Sequence, residues 1–409
     1  MSVIEHTEIE GRSAGYVGLV GLLAALTLGA LWASRYMEHH GHYVTGMSNQ
    51  IVWGAPHVFA VFLIVAASGV LNVASVASVF GRPMYKPLAR LSALLAIALL
   101  VGGLGVLVLD LGRPDRLVVA MTHFNFKSIF AWNIFLYTGF LAIVAVYLWM
   151  LMERRFNHYS RAVGVVAIVW RLALTTGTGC IFGFLVARQA FDAAVMAPLF
   201  IAMSFAYGLA IFVLVLMAAC RWTQRAPGAL ILEKLKKLLG IFVAAVLYFV
   251  AVQHLTNLYA AEHHGVERFL LLEGGIYTQI FWIGQILLGS VLPLVIFFTP
   301  WFGASRGWTA VGAGLVVLGG LTQMYVIIIG AQAYPLLIFP GMEVLDSGFY
   351  DGVVAGYRPS LPEIALGLGG IAVALLIVVL ALKVLPFLPE RLDDAGIAAS
   401  GERTAEADA

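Results

Sequence analysis

The chain has 409 residues, 61% of them hydrophobic and only 11% charged, with a formal net charge of +2. Soluble domains carry about a quarter charged residues, so a water-soluble fold of this size is excluded. So is a nucleic-acid binder, which needs a basic field. The two cysteines, Cys180 and Cys220, are far apart and form no C-x-x-C, which argues against an iron–sulfur cluster or structural zinc held by this chain alone.

The N-terminus, M-S-V-I-E-H-T-E-I-E-G-R, is acidic where a secretory signal would be basic, so the first apolar run reads as a retained helix. About twenty apolar residues span a bilayer. Ten such runs are predicted, at roughly 16–34, 52–80, 88–110, 128–152, 162–187, 195–219, 238–261, 276–299, 308–333 and 362–385. Lipid satisfies no backbone polar group, so each run must be a helix. All are too long and too uniformly apolar for barrel strands. The prediction is an all-α integral membrane protein: a transmembrane domain over 1–386 and a polar, disordered tail over 387–409.

Lys and Arg fall mainly after the even-numbered runs. Twelve lie there, among them Arg82, Arg155, Arg221 and Lys234, against seven after the odd-numbered runs. The positive-inside rule then puts both termini in the cytoplasm, and in a bacterium makes this an inner-membrane protein whose odd loops face the periplasm. A weak repeat pairs A-P-H-V-F-A-V-F at Ala55 with A-P-L-F-I-A-M-S-F at Ala197, each opening a run that ends in a basic, Pro-containing loop. It predicts two similar four-helix bundles, runs two to five and six to nine, flanked by runs one and ten. The longest outer loop, Tyr334 to Pro362, carries Glu343, Asp346 and Asp351. Its Pro and Gly fit ordered turns that cover a site or dock a partner.

Polar groups at membrane depth are costly and mark function. Here they crowd the outer ends of the runs: Trp53 and His57 on the second, Asp110 at the end of the third, His123, Asn125, Asn133 and Tyr137 around the start of the fourth, and His254, Asn257, Glu262 and His263 on the seventh. A group that exchanges protons near neutral pH, a carboxylate to tune it and aromatic rings to sandwich a flat head are what quinol oxidation requires. His57, His123 and Asp110 are the candidates for proton chemistry. Trp53, Asn125, Asn133, Tyr137 and Arg116 are candidate quinone contacts. Gly112 to Asp115 reads as a helix-ending turn in which Arg113 or Arg116 pairs with Asp110. Arg171, inside the fifth run, is expected to snorkel to the interface, with a place on a proton or ion path as the alternative. A membrane haem needs two facing histidines at mid-depth. His57 and His254 are the only deep ones and both sit toward the outer side, so no haem is expected. His39, His40 and His42 read as a solvated loop without metalloenzyme spacing.

W-G-x-P at Trp53, D-x-G-R-P-D-R at Asp110 and H-F-N-F-x-S at His123 resemble the NrfD/PsrC family, the membrane subunits of polysulfide reductase and its relatives, over nearly the whole chain. The ten-span form is most similar to DsrP of the DsrMKJOP complex, and to the corresponding subunits of Hdr-like menaquinol oxidoreductases and respiratory hydrogenases. The resemblance implies a chain with no haem or cluster of its own. It implies menaquinone or ubiquinone as an exchangeable substrate near the periplasmic face, in a pocket holding His57, His123, Asp110 and Tyr137. It further implies a periplasmic, four-cluster ferredoxin-type (DsrO-like) iron–sulfur partner, further redox subunits and a place in sulfur metabolism. A secondary transporter is the competing class. The repeat is parallel rather than inverted, and the polar groups gather at one face rather than the midplane, which favours the redox reading.

Overall fold

A computed structural model describes residues 6–225, 227–303, 305–335 and 353–390. Among them ten helices are long and apolar enough to cross a membrane: α1 (Ala14–His40), α2 (Ala55–Ser78), α3 (Met84–Leu109), α4 (Ile129–Met152), α5 (Arg155–Gly183), α6 (Met196–Trp222), α7 (Ala229–Tyr259), α8 (Ile276–Phe298), α9 (Arg306–Ala333) and α10 (Leu361–Val384). The protein is an all-α, multi-pass integral membrane protein. Three boundaries move by six residues or more from the expected ones, α5 among them, starting at Arg155 instead of 162. α1 continues to His40, so His39 and His40 end a helix instead of lying in a loop. α7 starts at Ala229, because Glu233 pairs with Lys236 and Lys237 across one turn and makes a polar first turn helical.

The helices close into two rings. α2 packs on α3, α3 on α4, α4 on α5 and α5 back on α2; α6 to α9 repeat the circuit. α1 and α10 lie against each other outside, with α10 resting on α2 and α3. α2 is the centre: its most apolar stretch is 89% buried, against 17% for α1. The two bundles meet where α2 crosses α6 without side chains between them. A Cβ at Gly69 would lie 1.5 Å from the Ser204 carbonyl oxygen, and one at Gly208 2.2 Å from the Val70 nitrogen. Lipid gives helices no hydrophobic reason to associate, so such backbone contact carries the packing.

α2 is interrupted at Leu71, between Val70 and Asn72. Ser92 of α3 enters the ladder there, its Oγ donating to the Val70 carbonyl (2.7 Å) and accepting from the Ala74 N–H (3.2 Å). The interruption frees acceptors deep in the protein, and Arg171 uses them. Its guanidinium donates to Asn72 Oδ1 and to the Ser68 carbonyl (3.3 Å) and lies 5.5 Å over the Phe205 ring. Arg171 is 4% exposed, so the expected snorkelling does not occur.

The chain ends converge on one face. β1 (His6–Thr7) pairs antiparallel with β2 (Leu388–Pro389), and Arg225 of the α6–α7 loop donates to the Pro389 carbonyl (2.7 Å). The predicted tail therefore begins with paired residues. Its remainder, 391–409, and the loop acids Glu343, Asp346 and Asp351 lie outside the described residues.

Gly208→Val should force the bundles apart and lower the thermal midpoint of the detergent-solubilised protein, since overpacking costs about 1–3 kcal/mol even where side chains can adjust. Gly105→Val, which meets open space within 4 Å, should leave it unchanged.

Candidate functional site

α2 and α3 run in opposite directions, so the start of one meets the end of the other. Gly54, Ala55 and Pro56 open α2, with Pro in the first turn, where no N–H is needed. His57 follows in that turn. Asp110 caps α3. His57 Nδ1 and Asp110 Oδ2 are 3.0 Å apart, with the carboxylate side chain 2% exposed and the imidazole 25%. The contact has ion-pair length but is out of line for a hydrogen bond. Neither Asp110 oxygen has an aligned donor among the described residues. A carboxylate so placed needs a cation or a donor opposite it. The partly exposed imidazole is the side of the pair open to its surroundings.

Trp53 forms the adjoining wall. Its ring is near-parallel to His57, 6.1 Å between centroids, and packs against Phe130, Phe182 and Phe191. The second bundle fixes its backbone. Gln332, at the end of α9, accepts from the N–H groups of Val52 (2.9 Å) and Trp53 (3.1 Å) and donates to the Trp53 carbonyl (3.0 Å). Gln50 and Arg188 in turn cap the end of α9. The Gln50 amide donates to the carbonyls of Gln332, Ala333 and Tyr334, and Arg188 to those of Gln332 and Gln50.

A second clamp comes from the chain before α10. Glu363, wholly buried, accepts from the Tyr357 hydroxyl (2.6 Å) on one oxygen and from the N–H groups of Gly46 and Ser360 (2.7 Å each) on the other. The Tyr357 hydroxyl also accepts from the Ala55 N–H (2.6 Å), tying the start of α2 to this carboxylate. Burial, and then the carboxylate beside it, push the Tyr357 phenol well above its ordinary value, so it stays a donor. Gly54 has no room for a side chain: a Cβ there would lie 2.4 Å from Glu363 Oε1.

The sequence-predicted residues divide into three groups. His57, Asp110 and Trp53 come together. Asn133 and Tyr137 point inward and staple α4 to α5. The Asn133 amide donates to the carbonyls of Ile129 (2.9 Å) and Gly177 (3.0 Å), and the Tyr137 hydroxyl meets Thr178 Oγ1 at 3.2 Å. His123, Asn125 and Arg116 are exposed and are not brought to His57. The helix Leu117–Thr122 buries no residue, and the turn after it satisfies itself, with His123 Nδ1 3.0 Å from Thr122 Oγ1 and Asn125 Oδ1 accepting from the Lys127 N–H. The expected pairing of Asp110 with Arg113 or Arg116 is absent. Arg113 bonds to Asp115 (3.3 Å) instead, and that hydrogen bond holds the Asp115 carboxyl below its usual range. His42 braces Asp110 from the backbone side, Nε2 to carbonyl 3.0 Å.

The clamp residues Gln332, Gln50, Arg188, Tyr357 and Glu363 were not legible as a set in the sequence. Nor was a second histidine–carboxylate pair, His254 with Glu267, whose only signal was His254 and Asn257 on one helix face before an acidic turn.

Fold and site together define a class: a ten-helix membrane protein that holds a histidine against a buried carboxylate, beside an indole wall, where the start of α2 meets the end of α3. Residues 43–335 match the family described as Polysulphide reductase, NrfD, and the chain belongs to that family. It is 29% identical to the Hdr-like menaquinol oxidoreductase integral membrane subunit of Archaeoglobus fulgidus, over 95% of this chain and 98% of that one. It is 30% identical to a putative dimethyl sulfoxide reductase membrane subunit of Halobacterium salinarum, over 95% of each. Protein NrfD of Escherichia coli is 23% identical over 69% of this chain and 95% of its own.

Gln332→Leu should strand three backbone groups and destabilise the protein by about 3 kcal/mol or more, at roughly 1–3 per buried unpaired group. The check is the thermal midpoint in detergent, with Tyr357→Phe giving a smaller loss.

Proposed function

We propose that this chain is the quinone-reactive membrane subunit of a multi-subunit oxidoreductase. It exchanges electrons between menaquinol or ubiquinol and an iron–sulfur subunit docked at the Asp110 face. The observation that carries the reading is the pairing of His57 with a buried carboxylate that lacks aligned donors, beside Trp53, at a single face of the membrane.

In quinol oxidation the substrate loses two protons and two electrons. His57 has Nδ1 turned to Asp110, so Nε2 is the nitrogen left to accept a proton from the quinol hydroxyl. Asp110 then faces an imidazolium and stabilises it. The two electrons leave for the partner's clusters; His57 passes the first proton to the aqueous face and, neutral again, accepts the second from the other hydroxyl and releases it the same way. Trp53 gives the quinone head a flat apolar wall. The clamps from Gln332 and Glu363 hold that wall and the first turn of α2 in place, as a site positioned to fractions of an ångström requires.

Asn133 and Tyr137 act as positioning residues, keeping α4 and α5 together behind Phe130 and Phe182. His123, Arg116 and Asn125, exposed on the same face, suit contact with the docked subunit. The excess of Lys and Arg after the even spans supports a periplasmic Asp110 face and cytoplasmic termini in a bacterial inner membrane. The relative named for menaquinol oxidation supports the quinone, and those named as subunits support a partner-dependent complex. A DsrP-like place in sulfur metabolism, with a four-cluster, DsrO-like partner, follows the motif resemblance. A related respiratory complex such as a hydrogenase is the alternative.

His57→Ala and Asp110→Asn should each lower quinol-dependent reduction of the co-purified clusters by about 10²-fold or more while the complex still assembles. Unchanged turnover in both variants refutes the assignment. His123→Ala should leave binding of a quinol analogue intact and slow cluster reduction. If it abolishes analogue binding instead, His123 belongs to the pocket.

A further inference from the structure

The second bundle holds an interior polar path that the chemistry at His57 does not use. At the Asp110 face, His254 Nδ1 lies 2.6 Å from Glu267 Oε2, and the Asn257 amide donates to Oε1 at 2.8 Å. Glu267 is wholly buried. Below this pair lie two small cavities. The first is lined by Gln253, His254, Gln285 and Gln323 among apolar neighbours, the second by Gln285, Gln323, Tyr207 and Ser290. The two share the Gln285 and Gln323 amides.

Those amides are 5% and 2% exposed. The Tyr207 hydroxyl donates to Gln323 Oε1, but Gln323 Nε2 and Gln285 Oε1 have no hydrogen-bond partner among the described residues. A buried polar atom without a partner costs about 1–3 kcal/mol, and two at one place call for an occupant. The first cavity, about 20 Å³, has room for one or two waters and the second, about 10 Å³, for one at most, and water is the partner that fits both the polarity and the volume. The backbone makes the space. α8 is wound as a π-helix over Ile280–Val291, beside both cavities, and α9 over Val326–Gly330, beside the first.

The residues lining the two cavities reach deep on the membrane scale. On α7 they run from His254 to Val243, a rise of about 16 Å, more than half of a hydrocarbon core of about 30 Å. Further in, the bundle closes with Phe297 against Gly312. Beyond that plug the buried Lys236 is bound to Glu233 and to the Gly303 carbonyl. The path also shares walls with the site. Ala190 and Ala331 line the first cavity; their chain neighbours Phe191 and Gln332 pack on the Trp53 ring and grip its backbone.

We propose that these cavities hold a file of waters that conducts protons through the second bundle, with His254 and Glu267 as the exchanging pair at its mouth. A proton taken on His254 passes to Glu267 or to the first water and then from oxygen to oxygen past Gln285 and Gln323. Each hop breaks one bond to hydrogen and forms another, one positive charge moves and no electron is involved. That quinone turnover drives the flow rests on the function proposed above; the hydration does not.

Two measurements test this separately. In X-ray radiolytic footprinting of the intact protein, internal waters oxidise the side chains they touch. Met196 and Tyr207, both buried and cavity-lining, should label several-fold faster than Met37, which is as buried and lines neither cavity. In the double variant Gln285→Leu/Gln323→Leu both should slow to the Met37 rate without a lower thermal midpoint. In proteoliposomes holding the whole complex, that variant and Glu267→Gln should keep quinol turnover when the gradient is dissipated, yet move fewer protons per electron. Labelling of Met196 and Tyr207 at the Met37 rate in the parent protein overturns the water file. Fast labelling with an unchanged proton-to-electron ratio in every variant overturns its proton role. Absence of quinol turnover from the parent complex sinks the function proposed above, while the labelling rates still decide whether the cavities are hydrated.

Discussion

A carboxylate kept out of water at the end of a membrane helix has to be answered by something, and Asp110 is answered only in part. Its carbonyl is braced by His42 and its side chain faces His57, but no donor is aligned on either carboxylate oxygen among the described residues. In a low-dielectric setting that deficit is worth far more than the same arrangement at a wet surface. On the function proposed above the pair answers to one proton or one polar ligand, and the surrounding structure supplies the rigidity that such a role needs. A loosely held imidazole would swing to satisfy the acid and lose its accessible edge.

Rigidity at this point comes from remote chain. The segment from Gln50 to Ala55 is not helical before Ala55, so its backbone polar groups require partners that lipid does not offer. Gln332 reaches them from the end of α9, and Tyr357 with Glu363 from the approach to α10. The first bundle therefore carries the proposed site while the second bundle and the outermost helix hold its geometry. The glycine contact between α2 and α6 has the same logic on a larger scale, because two backbones in contact cannot slide independently.

Much was legible in the residues alone. Ten spans, their all-α character and the two-ring arrangement followed from apolar run length and a short repeat, since lipid allows few backbone solutions. His57, Asp110 and Trp53 were legible because each is costly at its depth. The exposed fate of His123 and Arg116 was not: the chain between Asp110 and Ile129 connects two spans through a short helix, and composition does not say whether such a connection folds over a site or away from it. Arg171 misled for a related reason. A lone arginine in a membrane span ordinarily snorkels, and only the packing of α2 against α5, with the Ser68 carbonyl and the Asn72 side chain beside its interruption, holds this one inside.

The amino-acid sequence by itself determined that this chain lives in a membrane, how many times it crosses, and which side chains are too expensive there to be idle. Those properties depend on local composition and on the transfer cost of each group, and both can be read one residue at a time. Tertiary structure decided which of the costly groups meet. His57 found Asp110 rather than His123, Gln332 found the backbone of Trp53 from nearly three hundred residues away, and Glu267 found His254, because contacts between helices depend on crossing points and on glycine-sized gaps that only the packed bundle defines.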